Sequence, residues 1–246
     1  MPFTLSHVAA VVPLVRRPDR WWAASGLVAG SMAPDVPFFA ESLLPGAYEA
    51  GRTTHRWWAV PTVDVLLAAA MAAVWAGVLR RPAEDLLPVP GGGAAGPPPL
   101  RGPAGRAGVF ALSAAVGAAT HVAWDSFTHP GRLGVRALPV LARPVAAGVP
   151  GCTVLQYATS LVGLAVLARE AGRRAAPDAW AAAGRRAAPT AAVLAAAAAA
   201  GAAHRLRRRE RAPIDELCFG AGAGLAVGAV GLAAVAGGAA ADRSGA

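Results

Sequence analysis

Apolar residues in this chain gather into long uncharged runs, and short clusters of arginine separate one run from the next. Spanning a bilayer takes about 20 mostly apolar residues. Five windows meet that need in whole or in part: Val60 to Leu79, Ala107 to Phe127, Val149 to Ala168, Ala187 to Ala203 and Leu217 to Ala236. The last three contain no charged residue, and the fourth, 17 residues of mainly alanine, is the shortest. Trp21 to Leu44 is apolar too, but Pro34, Asp35 and Pro37 interrupt it. Irregular backbone at membrane depth survives only where protein or a wet cavity surrounds it, so a broken or re-entrant helix hairpin is expected there. The expected fold is all-α: a multi-pass transmembrane helical bundle of about five spans plus the broken hairpin. It forms one integral membrane domain over residues 1–246, located in the cell membrane.

Composition supports that reading. Hydrophobic residues make up 55%, charged residues 15%, and the mean hydropathy is +0.45, whereas a soluble domain carries roughly 25% charged residues to coat its surface. The 65 alanines and 29 glycines weaken the case, because alanine is a poor signal for lipid and an Ala-rich soluble bundle is the rival. The placement of charge argues against that rival. All 23 basic residues are arginine, lying at the ends of the apolar runs as flanking anchors do.

The net charge of +9 sits on no amphipathic face and in no nucleic-acid motif, so nucleic acid is not an expected partner. Thirteen arginines on one side of a five-span arrangement against ten on the other are too even to orient it. Trp21, Trp22, Trp57 and Trp58 precede apolar runs, where interfacial aromatics or ordinary core residues are both found. Gly and Pro account for 11 of the 16 residues from Pro88 to Pro103, which predicts a flexible loop over residues 82–105. Met1 to Pro13 lacks early positive charge and a cleavage site, so no cleavable leader is expected. Cys152 and Cys218 have no metal-type spacing and read as small core residues.

Against this apolar background an ionisable residue in or beside a span is a functional candidate. His7, Asp35, His55, His121, Asp125 and His129 qualify, while His204 among Arg205, Arg207, Arg208 and Arg209 reads as interfacial. Residues 121, 125 and 129 are spaced by four. Four residues turn a helix by about 400°, an offset of about 40° with a rise of about 6 Å, so His121 and Asp125 can share one ion. His129 lies about 12 Å from His121 along a continuing helix, but Pro130 and Gly131 predict its end nearby. Asp125 can bridge two ions about 4 Å apart. A salt bridge or cap within the helix is the competing reading of a bare HxxxD.

Topology adds to the signal. His55 precedes the first span and His129 follows the second, so an antiparallel pair returns both to one membrane face, within reach of His7 and Asp35. This imidazole and carboxylate set suits a divalent metal, Zn²⁺ first, with Mn²⁺ or Fe²⁺ as alternatives. The hydroxyls Ser6, Thr54, Thr120 and Thr128, each directly before a histidine, are candidate orienting partners. Asp64, Gln156 and Tyr157 read as helix-to-helix hydrogen-bonding residues.

Several stretches carry a resemblance: Met1 to His7, Gly30 to Asp35, Thr54-His55, Thr120 to His129 and Leu155-Gln156-Tyr157. Across most of the chain the sequence resembles a bacterial membrane-protein family, domain of unknown function forty-one eighty-four. The resemblance implies a multi-pass membrane protein and supplies no activity. A looser likeness, to membrane-bound metal-dependent hydrolases and the zinc-dependent phospholipase C and nuclease group, implies that Asp35, His55, His121 and Asp125 hold one zinc. It further implies that His7 and Asp125 reach a second and that His129 belongs to a third. The chain departs from that group in lacking a downstream HxxxE or HxxxD, since four residues after His204 stands Arg208, and six residues precede His7. A full trinuclear site is therefore not expected.

The leading expectation is a metal-dependent hydrolase of phosphoester or lipid-like substrates at one membrane face. Asp35 or Asp125 is the candidate base, and Arg52, Arg56 or Arg132 the candidate partners of substrate charge. The alternative is a non-enzymatic membrane protein, for ion or proton transport or of structural role, although a transporter needs more polar residues on the later spans.

The chain should leave membranes only with detergent, because its last three windows offer no polar face. Recovery in the supernatant after an alkaline wash would count against membrane insertion.

Overall fold

The computed structural model describes residues 3–16, 22–80, 83, 102–146, 148–174, 177–208 and 212–244. Of the described residues 84% are helical, and the single departure from an all-α fold among them is a two-stranded antiparallel ribbon, β1 (Pro144–Ala146) with β2 (Val149–Pro150). The helices, in chain order, are α1 (Val8–Val15), α2 (Ala24–Met32), α3 (Val36–Ala40), α4 (Ala47–Thr54) and α5 (Val63–Val74), then α6 (Pro103–Thr128), α7 (Leu133–Ala137), α8 (Gly151–Arg174), α9 (Pro177–Arg208) and α10 (Pro213–Ser244). Trp21 and most of the expected 82–105 loop lie outside the described residues, and from Pro103 onward that stretch is already helix.

Among the described residues three helices are long and apolar enough to cross a membrane: Pro103–Thr128, Gly151–Arg173 and Pro213–Gly237. They carry large apolar side chains outward, among them Leu161 at 64% and Val235 at 73% exposure. A water-soluble monomer seldom shows so much contiguous apolar surface. The five-span count is not confirmed. The first window folds as a shorter apolar helix, Val63–Leu79, that ends in a π-helical turn at Trp75–Leu79. The fourth window belongs to α9, which carries Pro189 within it and is not among these three helices.

The interruption at Pro34-Asp35 is real. After α2 the backbone tightens into a 3₁₀ turn, Ala33–Asp35, before α3 begins. Proline lacks the N–H that would bond back along the helix, so α2 cannot run on through Pro34. α6 starts with Pro103 in its first turn and stops at Thr128, because Pro130 forces its predecessor His129 into an extended conformation, φ −124° and ψ 135°.

The core is built from small residues. Ala29, Ala33, Ala68 and Ala114 form one cluster, Val8, Val11 and Leu27 a second, and Val60, Ala118 and Val122 a third. Where α2 crosses α6 the backbones touch: a Cβ on Gly30 would lie 2.1 Å from the Ala114 carbonyl oxygen, and one on Gly117 2.3 Å from that of Leu27. Small residues let membrane helices approach until van der Waals contact between backbones holds them. The first turn of α2 is served across the same interface, where the Ala23 N–H donates to Ser113 Oγ at 2.9 Å. α9 and α10 pair in the same way, with a Cβ at Gly224 falling 2.0 Å from the Ala197 carbonyl oxygen. A fully buried ion pair, Arg205 Nε to Glu216 Oε2 at 2.6 Å, joins their ends.

Gly30→Ala should lower the thermal midpoint of the purified protein, overpacking such contacts costing about 1–3 kcal/mol. The same measurement on Gly77→Ala, where nothing lies within 4 Å of the added Cβ, should show no comparable loss. Equal midpoints for the two variants would argue against the close crossing.

Candidate metal centre

Four unrelated pieces of backbone deliver the polar residues that an apolar bundle should exclude. The N-terminal 3₁₀ turn, Thr4–His7, ends on His7, and the second 3₁₀ turn ends on Asp35. His55 closes α4 at its C-terminal cap, and α6 presents His121 and Asp125 on one face with His129 just past its end. All are buried except His129, whose side chain keeps 24% of its exposure.

Asp35, His55, His121 and Asp125 each offer one atom, and these four atoms lie within 4.8 Å of one another. His55 Nε2 stands 3.3 Å from both Asp35 Oδ1 and Asp125 Oδ2, and His121 Nε2 stands 3.5 Å and 3.6 Å from the same oxygens. A tetrahedral ion with bonds of about 2.0–2.1 Å has ligand-to-ligand edges of about 3.3–3.4 Å. Four of the six edges here match that length closely, so the cluster can hold a metal ion.

Hydrogen bonding aims the imidazoles. His55 Nδ1 is 2.7 Å from the Gly51 carbonyl and His121 Nδ1 is 2.8 Å from the Ser31 carbonyl. A carbonyl only accepts, so each Nδ1 carries the proton and donates it. In their neutral form the rings therefore point bare Nε2 lone pairs at carboxylate oxygens that are also lone-pair bearers. Among the described residues His7 Nε2, Asp35 Oδ1, His121 Nε2 and Asp125 Oδ1 are buried without a hydrogen-bond partner. Burying such atoms unpaired is costly, and a cation among them removes the cost.

The outer residues touch the same carboxylate. His7 Nε2 lies 3.6 Å from Asp125 Oδ1, the oxygen turned away from the four-atom cluster, and its ring stacks on His121 with centroids 3.8 Å apart. His129 Nδ1 is 3.7 Å from Asp125 Oδ2. The six histidine and aspartate residues singled out by sequence thus meet in one centre. Asp125 offers one oxygen to the cluster and the other to His7. His204 is exposed on α9 and takes no part.

Other expectations fare less well. The hydroxyls before the histidines mainly serve nearby backbone: Ser6 donates to Phe3 O, Thr120 to Gly117 O, and Thr54 to Pro34 O and Gly51 O. Two of them also reach the imidazole that follows, Thr128 Oγ1 at 3.1 Å from His129 Nδ1 and Thr54 Oγ1 at 3.4 Å from His55 Nδ1. Asp64 is buried, yet neither of its oxygens finds a hydrogen bond among the described residues, and Tyr157 instead sets its ring edge-on against Phe3. Arg52 is exposed and pairs with Glu49 at 3.2 Å. Arg132 is half-buried and donates to the His55 carbonyl at 3.3 Å. Thr4, which no spacing signal in the sequence marks, donates its hydroxyl to Asp35 Oδ2.

Fold and centre together define a helical protein with membrane-suited helices and a buried His/Asp group able to hold a metal ion. The chain belongs to the family described as Domain of unknown function (DUF4184), whose model matches residues 1–234. No curated protein and no solved structure matches it.

Outside the spans, burial works against a charge on His55, but hydrogen bonds from it to Asp125 and Asp35 outweigh burial and push its pKa up. At His129 burial dominates and pushes the pKa down. A proton on His55 must leave before a metal can bind, so metal affinity should rise with pH until the raised pKa of His55 is passed. Titration of metal content against pH checks this, and a flat profile through the histidine range would contradict it.

Proposed function

We propose that this protein is a membrane-embedded, metal-dependent hydrolase acting on a phosphoester or similar bond of a lipid-like substrate. The observation that carries the reading is the pair of imidazoles locked by backbone carbonyls so that their Nε2 atoms meet two buried carboxylates at metal-ligand spacing. Such backbone-oriented histidines are characteristic of metal sites. The oxygen and nitrogen donor set suits Zn²⁺, with Mn²⁺ and Fe²⁺ as alternatives. A divalent cation there would supply water acidified toward a pKa of about 7 and a positive charge facing the developing oxyanion.

The residues divide the work. Asp35, His55, His121 and Asp125 form the principal ligand set. Asp125 Oδ1 with His7 Nε2 offers a second position, which makes the centre mono- or dinuclear. Thr4 holds Asp35 by its outer oxygen and so keeps Oδ1 directed inward. Whichever of Asp35 and Asp125 is less fully engaged by metal serves as the base that takes a proton from the attacking water. His129, the least buried member, marks the open side. Arg132 beside it pairs with substrate negative charge better than Arg52 or Arg56, which are exposed.

Metal analysis of detergent-purified protein should find at least one tightly held divalent ion, lost in His121→Ala. Metal-loaded protein should hydrolyse a member of a phospholipid and phosphomonoester panel, and Asp125→Ala should lower that rate by at least about 10²-fold, the scale of a lost acid-base or electrostatic group. Full metal occupancy without hydrolysis of any substrate would favour transport or a structural role.

A further inference from the structure

A groove of about 420 Å³ opens on the outer side of the centre, between α1, α6 and α8. Its walls are Ala10, Ala123, Trp124, Phe127 and Leu155, a volume within the range of roughly 300–1,000 Å³ for small-molecule sites. We propose that it holds one hydrocarbon chain of the lipid substrate, with the polar head of that lipid turned over His129 toward the metal centre. This rests on the hydrolase reading and names the part of the substrate that the centre itself does not contact.

Three observations select a hydrocarbon chain. First, the groove is chemically dry. Its hydroxyls bond to carbonyls of their own helices, Thr120 to Gly117 at 2.7 Å, Thr128 to Trp124 at 3.3 Å and Thr159 to Leu155 at 2.6 Å. The Trp124 indole N–H is taken up by Thr159 Oγ1 at 3.2 Å. A ligand finds apolar contact there and hardly any hydrogen-bonding partner.

Second, the groove has the right direction. Its α6 wall runs from Thr120 to Thr128, eight residues or roughly 12 Å along the helix axis. Two of its walls, α6 and α8, are helices fit to cross a bilayer. A chain lying in it therefore runs along the spans, as acyl chains do, and reaches the groove sideways from the lipid.

Third, the groove adjoins the centre. The Trp124 ring stands edge-on to His7 at 6.3 Å between centroids, and the Thr128 hydroxyl at the groove's end lies 3.1 Å from His129 Nδ1. His129 is also the most exposed residue of the centre, and half-buried Arg132 follows three residues later. The head of a lipid seated in the groove thus meets the side of the centre where His129 is exposed.

The test uses full-length protein in phosphatidylcholine nanodiscs containing a small fraction of phosphatidylcholine with a diazirine at its acyl terminus. After irradiation, labelled residues are mapped by mass spectrometry. Ala123, Leu155 and Thr159 should be labelled well above the lipid-exposed face of α10 at Val227 and Val230. Ala123→Phe, and separately Ala10→Phe, should reduce groove labelling by about tenfold, the effect of displacing a few methylenes, with metal content unchanged. Both variants should raise KM for long-chain substrates while sparing turnover of a water-soluble short-chain ester. Uniform labelling of groove and α10, or labelling unmoved by both variants at full metal content, overturns the proposal. Selective labelling without hydrolysis of any substrate instead retains the chain site and removes the hydrolase reading.

Discussion

Two carboxylates and the lone pairs of two neutral imidazoles cannot share a buried volume unless positive charge lies among them. That constraint organises this molecule. Gly51 and Ser31 carbonyls fix the tautomers of His55 and His121, so both rings are committed to presenting Nε2 to Asp35 and Asp125. In an apolar surrounding, water cannot relieve the mismatch, and the cost of leaving it unrelieved is several kcal/mol per group. A cation turns the same arrangement from a penalty into a source of cohesion, linking the α2–α3 turn, the end of α4 and the α6 helix.

The helix packing is what makes so tight a cluster reachable. Asp35 comes alongside His121 and Asp125 because α2 and α6 touch at Gly30 and Gly117, where any larger residue would collide with backbone. Alanine-rich cores are usually poor in hydrophobic driving force. Here the alanines and glycines act through proximity instead, letting backbones close until polar groups on separate elements fall within ligand distance. The proline at 34 contributes in the same sense. It ends α2 and turns the chain so that Asp35, next in line, faces inward and not along the helix.

The outer side follows from the same geometry. α6 carries ligands on one face and, beside them, Trp124, Phe127 and Ala123 on a face directed to α1 and α8. One helix therefore borders both the polar centre and an apolar groove. Reaction chemistry and the recognition of a hydrocarbon chain can be served by adjacent faces of a single span, with His129 at the end where the two meet.

Much of the centre was legible in sequence. Charged residues are so rare near the apolar runs that His7, Asp35, His55, His121, Asp125 and His129 stand out singly, and the spacing of 121 and 125 places them on one helical face by geometry alone. Helical content followed from the long alanine and leucine runs, whereas the length of each helix depended on where the tertiary fold ended it, as at Val63–Leu79. What tertiary structure decided was everything that depends on contact between distant segments: the Thr4 hydroxyl on Asp35, the carbonyls that choose each imidazole tautomer, and the division of Asp125's oxygens between the cluster and His7. Periodicity reports the face on which a side chain lies. Which atom of it meets which partner is set by helix crossings, and those are fixed by where small residues let backbones touch.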